Sequence, residues 1–244
     1  MKRIVLPVLL ITAVIGWIAW EETGGPGLLI PAEPITPNWA AIAAWPSLDT
    51  PAVEATPDPG RRITAIVLDD SGSMSGQMDA AKGAVLGALE AMADSDRVAV
   101  IALNAGVVQD FVPVSEAREN LPIALRPIRD TGTTPLTGAV ARARALLEEE
   151  ASGARGFGTY RIIVTTDGQA DEPNALTAEI ESLAQATPIQ LTTIGLDVSS
   201  RHVLRRSDLG SFVDISDVSA LQDALQAAVA ENTDFTAITD FEGQ

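Results

Sequence analysis

The sequence predicts a doubly wound α/β fold: a mostly parallel sheet with one antiparallel edge strand and helices on both faces. Three observations carry this expectation. From Arg61 onward, short apolar runs alternate with longer amphipathic stretches, the pattern of buried strands covered by helices. Two of the runs, Arg97–Leu103 and Val107–Val114, are joined through Asn104-Ala105-Gly106 as a hairpin, which adds the antiparallel strand. Asp69 and Asp167 both sit where strands end, and open α/β sheets bind ligands at the carboxyl ends of their strands.

Each element follows from its local pattern. Arg62–Asp69 is a strand built on the apolar run Ile63–Leu68. Gln77–Ala93 has helical spacing, with Met78, Ala81, Val85, Leu89 and Met92 on one face. After the hairpin, Ser115–Leu125 reads as helical until Pro127 interrupts it. Pro135–Glu150 is a helix with Leu136, Ala139, Val140, Ala143 and Leu147 facing inward. Thr159–Thr166 is a strand, Pro173–Ala186 a helix, and Ile189–Leu196 another strand. A short helix over Ser200–Leu209, a strand at Ser211–Ile215 and a final helix at Val218–Ala230 complete the set.

Composition narrows the function. The chain has 244 residues, 46% of them hydrophobic, enough for one ordinary core plus appendages. With no cysteine, there can be no disulfide, thiolate zinc site or cysteine nucleophile. The formal charge is −17, and the part after residue 60 is itself acidic, so nucleic acid is not an expected partner.

Four segments are expected: a membrane anchor or signal at 1–20, a Pro-rich acidic linker at 21–60, the domain at 61–232 and a tail at 233–244. Lys2 and Arg3 precede an uncharged stretch, Ile4–Trp20, which Glu21-Glu22 close. A helix over that stretch would span about 25 Å, and the positive end would stay cytoplasmic. No good small-x-small cleavage site follows, so the expectation is an uncleaved single-pass anchor with everything after Glu21 outside the cytoplasm (periplasmic in a bacterium). Secretion after signal cleavage is the alternative. The linker holds eight of the fifteen prolines, and Asn38–Trp45 within it could form two helical turns packing on the domain.

Three loops share one chemistry. Asp69-Asp70-Ser71-Gly72-Ser73-Met74 ends the first strand with the candidate carboxylate Asp69 and two hydroxyls, and Gly72 lets it bend sharply. Gly132-Thr133-Thr134-Pro135-Leu136 opens a helix, and Thr165-Thr166-Asp167-Gly168 follows another strand. Oxygen donors alone suit a hard divalent cation. At these residues the chain resembles the von Willebrand factor type A domain and its metal-ion-dependent adhesion site. The D-x-S-x-S of that family falls on Asp69, Ser71 and Ser73, its distal threonine on Thr134 and its later aspartate on Asp167. The resemblance covers about residues 61–232. It implies a Rossmann-like fold and a bound Mg²⁺, with Mn²⁺ acceptable to the same ligands. It also implies adhesion through an Asp or Glu of a protein partner, linked to movement of the last helix.

Other readings are weaker. A scaffold with a purely structural metal remains the runner-up. In a Mg²⁺-dependent phosphohydrolase a second carboxylate would be needed where Ser71 stands, so no enzyme is expected. Asp70 is expected to face solvent. His202, the only histidine, is expected on a solvated helix face beside Arg201, Arg205 and Arg206.

Overall fold

The computed structural model describes residues 34–46, 60–154 and 156–230. Among them are six strands, β1 (Arg62–Leu68), β2 (Arg97–Ala102), β3 (Gly106–Pro113), β4 (Thr159–Thr166), β5 (Gln190–Leu196) and β6 (Ser211–Ile215). Six helices accompany them: α1 (Trp39–Ala44), α2 (Met78–Leu89), α3 (Val114–Ala124), α4 (Leu136–Gly153), α5 (Pro173–Ala186) and α6 (Leu221–Ala230). The strands form one sheet in the order β3-β2-β1-β4-β5-β6. Only β2 and β3 pair antiparallel, which is the predicted edge hairpin.

Alternation of side chains on the central strands creates two cores. Ile63, Ala65 and Val67 of β1, with Ile162 and Val164 of β4, pack under Leu136, Val140, Leu147 and Ile180 of α4 and α5. Ile66, Leu68 and Ile163 face the opposite way, onto Ala81, Val85, Leu121 and Leu225 of α2, α3 and α6. A strand buried on both faces favours apolar residues, which is why β1 reads as an apolar run broken only by the buried Thr64. Large-to-small changes there remove contacts on one face and leave a void the other elements cannot fill.

The predicted helix over Ser200–Leu209 does not form; only a single 3₁₀ turn, Val203–Arg205, occurs there. The reason is side-chain competition with the backbone. Arg205 folds back to donate to the carbonyls of Val198 and Ser199, and His202 Nδ1 accepts from the Leu204 amide at 3.2 Å. His202 is buried rather than solvated, and burial, then the Arg205 charge, holds its pKa below the ordinary value. Nor are Arg205 and Arg206 simply solvated, though Arg201 is exposed. Arg205 pairs with Asp214 and lies 4.2 Å over the Phe212 ring, while Arg206 bridges Glu181 and Asp208.

Within the proline-rich stretch, α1 docks on the domain. Asn38 caps it, and the Asn38 amide donates to the Gln185 carbonyl of α5 at 2.9 Å. Trp45 meets the buried ring of Tyr160 edge-on at 4.7 Å. Among the described residues no helix is long and apolar enough to cross a membrane, and the expected anchor at 1–20 and tail at 233–244 lie outside them.

Tyr160 is the only tyrosine, so its ionisation can be followed by ultraviolet absorbance alone. Burial pushes its hydroxyl up to about 12. The folded chain therefore keeps a proton that the unfolded chain has already released, and stability should fall as pH climbs from 10.0 to about 12. Trp45→Ala should open one side of the ring, move the absorbance titration to lower pH and narrow that alkaline loss.

Candidate functional site

The sheet brings the three oxygen-rich loops together because β1 and β4 are neighbours in register. Val67 pairs with Val164, so the chain leaves both strands at the same edge. Asp69 follows β1 and is completely buried. Its carboxylate accepts from the Ser71 amide at 2.9 Å, from Thr166 Oγ1 at 2.8 Å and from the Asp167 amide at 3.4 Å. A carboxylate removed from water needs such partners, and these also lock the first loop to the third.

The hydroxyls meet at one point. Ser71 Oγ lies 2.9 Å from Ser73 Oγ, which donates to Asp167 Oδ1 at 2.7 Å. Thr134 completes the group from the second loop. A side chain begun on Gly168 would start 3.6 Å from Thr134 Oγ1 and 3.9 Å from Ser73 Oγ, so both hydroxyls flank the same space. Asp167 is half-buried, and burial raises its carboxyl above the ordinary value. The Ser73 hydrogen bond opposes that rise and the nearby Asp69 charge adds to it. All five residues named from the sequence, Asp69, Ser71, Ser73, Thr134 and Asp167, are thus gathered into one cluster.

The second loop is held by residues that sequence reasoning missed. Asp70 is buried, contrary to the expectation that it faces solvent. It accepts from the Asn104 amide at 2.7 Å, from Asn104 Nδ2 at 3.1 Å and from the Ala105 amide at 3.1 Å. Asn104 Nδ2 also donates to the Thr133 carbonyl at 2.9 Å. Register contains the missing signal: Leu68 pairs with Ala102, so residues 70 and 104 leave adjacent strands side by side. Gly132, at φ +94°, lets the loop pass so close that a Cβ there would sit 2.3 Å from Asn104 Oδ1. Asp171 holds the loop from the far side, accepting from Thr133 Oγ1 and from the Thr134 amide at 3.0 Å. A backbone bond from the Gly72 amide to the Gly132 carbonyl, 3.1 Å, ties loops one and two directly.

Residues 64–169, which include every member of the cluster, match the family model of the von Willebrand factor type A (VWA) domain. Over those residues the chain is similar to a VWA domain. Solved structures agree in fold. A von Willebrand factor type A protein from Catenulispora acidiphila is 23% identical at a TM-score of 0.60, over 70% of this chain and 42% of that one. The manganese-loaded TRAP protein of Plasmodium vivax is 15% identical at a TM-score of 0.51, over 69% and 74%. The pilus adhesin SpaC of Lactobacillus rhamnosus GG, in an open conformation, is 14% identical at 0.58, over 72% and 30%. This chain therefore spans less than half of the Catenulispora and Lactobacillus structures. Among curated proteins none matches.

Asp70 supports the oxygen cluster by turning three donors toward one buried charge. Asp70→Ala strands those donors and should lower stability by about 3 kcal/mol in urea unfolding. Asp70→Asn, which aims a donor at other donors, should cost nearly as much despite its matching shape.

Proposed function

We propose that this VWA domain holds a divalent cation, Mg²⁺ with Mn²⁺ also accepted, on Asp69, Ser71, Ser73, Thr134 and Asp167, and offers it to a carboxylate of a protein partner. The observation that carries this reading is the chain of contacts from Ser71 Oγ through Ser73 Oγ to Asp167, with Thr134 Oγ1 beside it. The donor set fits such an ion. Every donor is an oxygen on a short side chain, and three of the five are neutral hydroxyls. Among the described residues there is no group of three or more His, Cys, Asp or Glu that could hold a metal, so anionic ligands would be few. When bound, the cation supplies a Lewis-acid position able to take an outside carboxylate. That the P. vivax TRAP protein, similar in fold, is manganese-loaded supports reading this cluster as a divalent-cation site.

The residues divide the work. Asp69 fixes the first and third loops through its amide and hydroxyl donors. Ser71, Ser73 and Thr134 present neutral oxygens, which leave more positive charge for a partner than carboxylates would. Asp167 orients Ser73. The loops are already joined by the Gly72–Gly132 backbone bond and by Asn104 and Asp171, which speaks against a metal serving only as scaffold. Complete burial of Asp69 behind three donors speaks against its acting as a phosphoryl-accepting nucleophile. In the same reading, residues 1–20 tether the domain to a membrane, with the site on the extracytoplasmic side.

Calorimetry should detect Mg²⁺ uptake by the wild-type chain and none by Ser71→Ala with Ser73→Ala. In chelator the two proteins should unfold within about 1 kcal/mol of each other. With Mg²⁺ at one hundred times its dissociation constant, only the wild type should gain about 2.7 kcal/mol. No uptake by the wild type at millimolar Mg²⁺ or Mn²⁺ would sink the proposal. A reporter fused after Gln244 should be active only outside the cytoplasm, and cytoplasmic activity would refute the tether.

A further inference from the structure

A groove of about 700 Å³ lies between α2 and the segment that ends α3. Gly76 and Asp130 form part of its rim, and they stand just after Ser73 and just before Gly132 in the chain. Two of the three site loops therefore run directly into it. Leu86 and Leu125 give it apolar walls, and Gly83 faces open space where a side chain would otherwise project.

Its charge is unlike that of the chain. Lys82, Arg126 and Arg129 line it against Asp79 and Asp130, a cationic excess in a molecule of net charge −17. Lys82 is already engaged, donating to the Ile128 carbonyl at 2.7 Å and lying 3.9 Å from Asp79. Arg62, Arg97, Arg118, Arg144, Arg205 and Arg206 all pair with carboxylates. Arg126 and Arg129 are exposed and form no ion pair among the described residues. Arg129 donates to the carbonyls of Arg126 and Ile128, which fixes its guanidinium over the loop without neutralising it.

We infer that this groove docks an acidic segment of the same protein partner, placing further Asp or Glu side chains on Arg126 and Arg129 and an apolar side chain between Leu86 and Leu125. The inference rests on the function proposed above and supplies what that function lacks. An acidic domain repels an acidic partner at long range, so attraction has to be local to the contact. Two uncompensated guanidiniums beside the site provide it, and arginine recognises carboxylates by paired hydrogen bonds.

The test uses the full chain in mild detergent and a short fluorescein-labelled peptide of Glu-Glu-Leu repeats, read by anisotropy in low-salt buffer with Mg²⁺. Arg126→Glu with Arg129→Glu should weaken binding by about tenfold or more and leave Mg²⁺ uptake by calorimetry unchanged. Arg142→Glu with Arg201→Glu makes the same change in net charge at exposed arginines elsewhere, and should alter binding by no more than about twofold. Equal weakening by both pairs, or a wild-type chain that does not bind the peptide, overturns the groove. Neutralising Asp234, Asp240 and Glu242 should not tighten binding; if it does, the groove belongs to the chain's own C-terminal segment and not to a partner. Chelator separates this inference from the metal reading. Peptide binding that survives chelator yet is lost in the Arg126/Arg129 variant keeps the groove while removing the cation from the contact.

Discussion

A carboxylate cannot be buried unless its oxygens are given donors, and much of this domain's upper edge is organised by that requirement. Asp69 has no exposed surface and draws an amide from its own loop, then a hydroxyl from the last residue of β4 and an amide from the residue after it. Asp70 repeats the arrangement on the other side, drawing its donors from the β2–β3 hairpin. Two adjacent residues thus pull in opposite directions across the sheet, one toward β4 and one toward β2. The hydroxyls of Ser71 and Ser73 follow in the same loop, in contact with each other and with Asp167.

The sheet makes this possible because β1 is central. With β2 on one flank and β4 on the other, the loop that follows β1 is the only one of the site loops able to touch both neighbours. The second loop arrives from the other end of its own element, at the start of α4, and must be brought in by Asn104, Asp171 and the Gly72–Gly132 backbone bond. The two cores below are divided by the alternation of β1 and β4, so neither face of the sheet can yield without disturbing the loops.

Charge is arranged with similar economy. Most arginines are spent internally: Arg205 and Arg206 pin an irregular segment to β6 and α5, and Arg118 joins the first half of α3 to the turn after α2. Such exposed pairs contribute little stability singly. Their consequence is that the few uncompensated guanidiniums stand out, and two of them border the groove beside the proposed cation site.

The sequence by itself determined the strands, the hairpin and the oxygen-bearing loops, because apolar runs, helical spacing and a short Ser/Gly loop are local patterns that burial enforces residue by residue. The convergence of Asp69, Ser71, Ser73, Thr134 and Asp167 was legible for the same reason: each lies near the end of an element whose pattern was clear. Tertiary structure alone decided the fate of Asp70, His202 and the arginines around it. A polar side chain's surroundings are set by whichever strand or loop lies alongside, and Asn104 stands 34 residues from Asp70. The failed helix at Ser200–Leu209 has the same origin, since Arg205 found carbonyls and Asp214 within reach and folded the segment around itself. Apolar residues announce that they will be buried; polar ones wait for the fold to say against what.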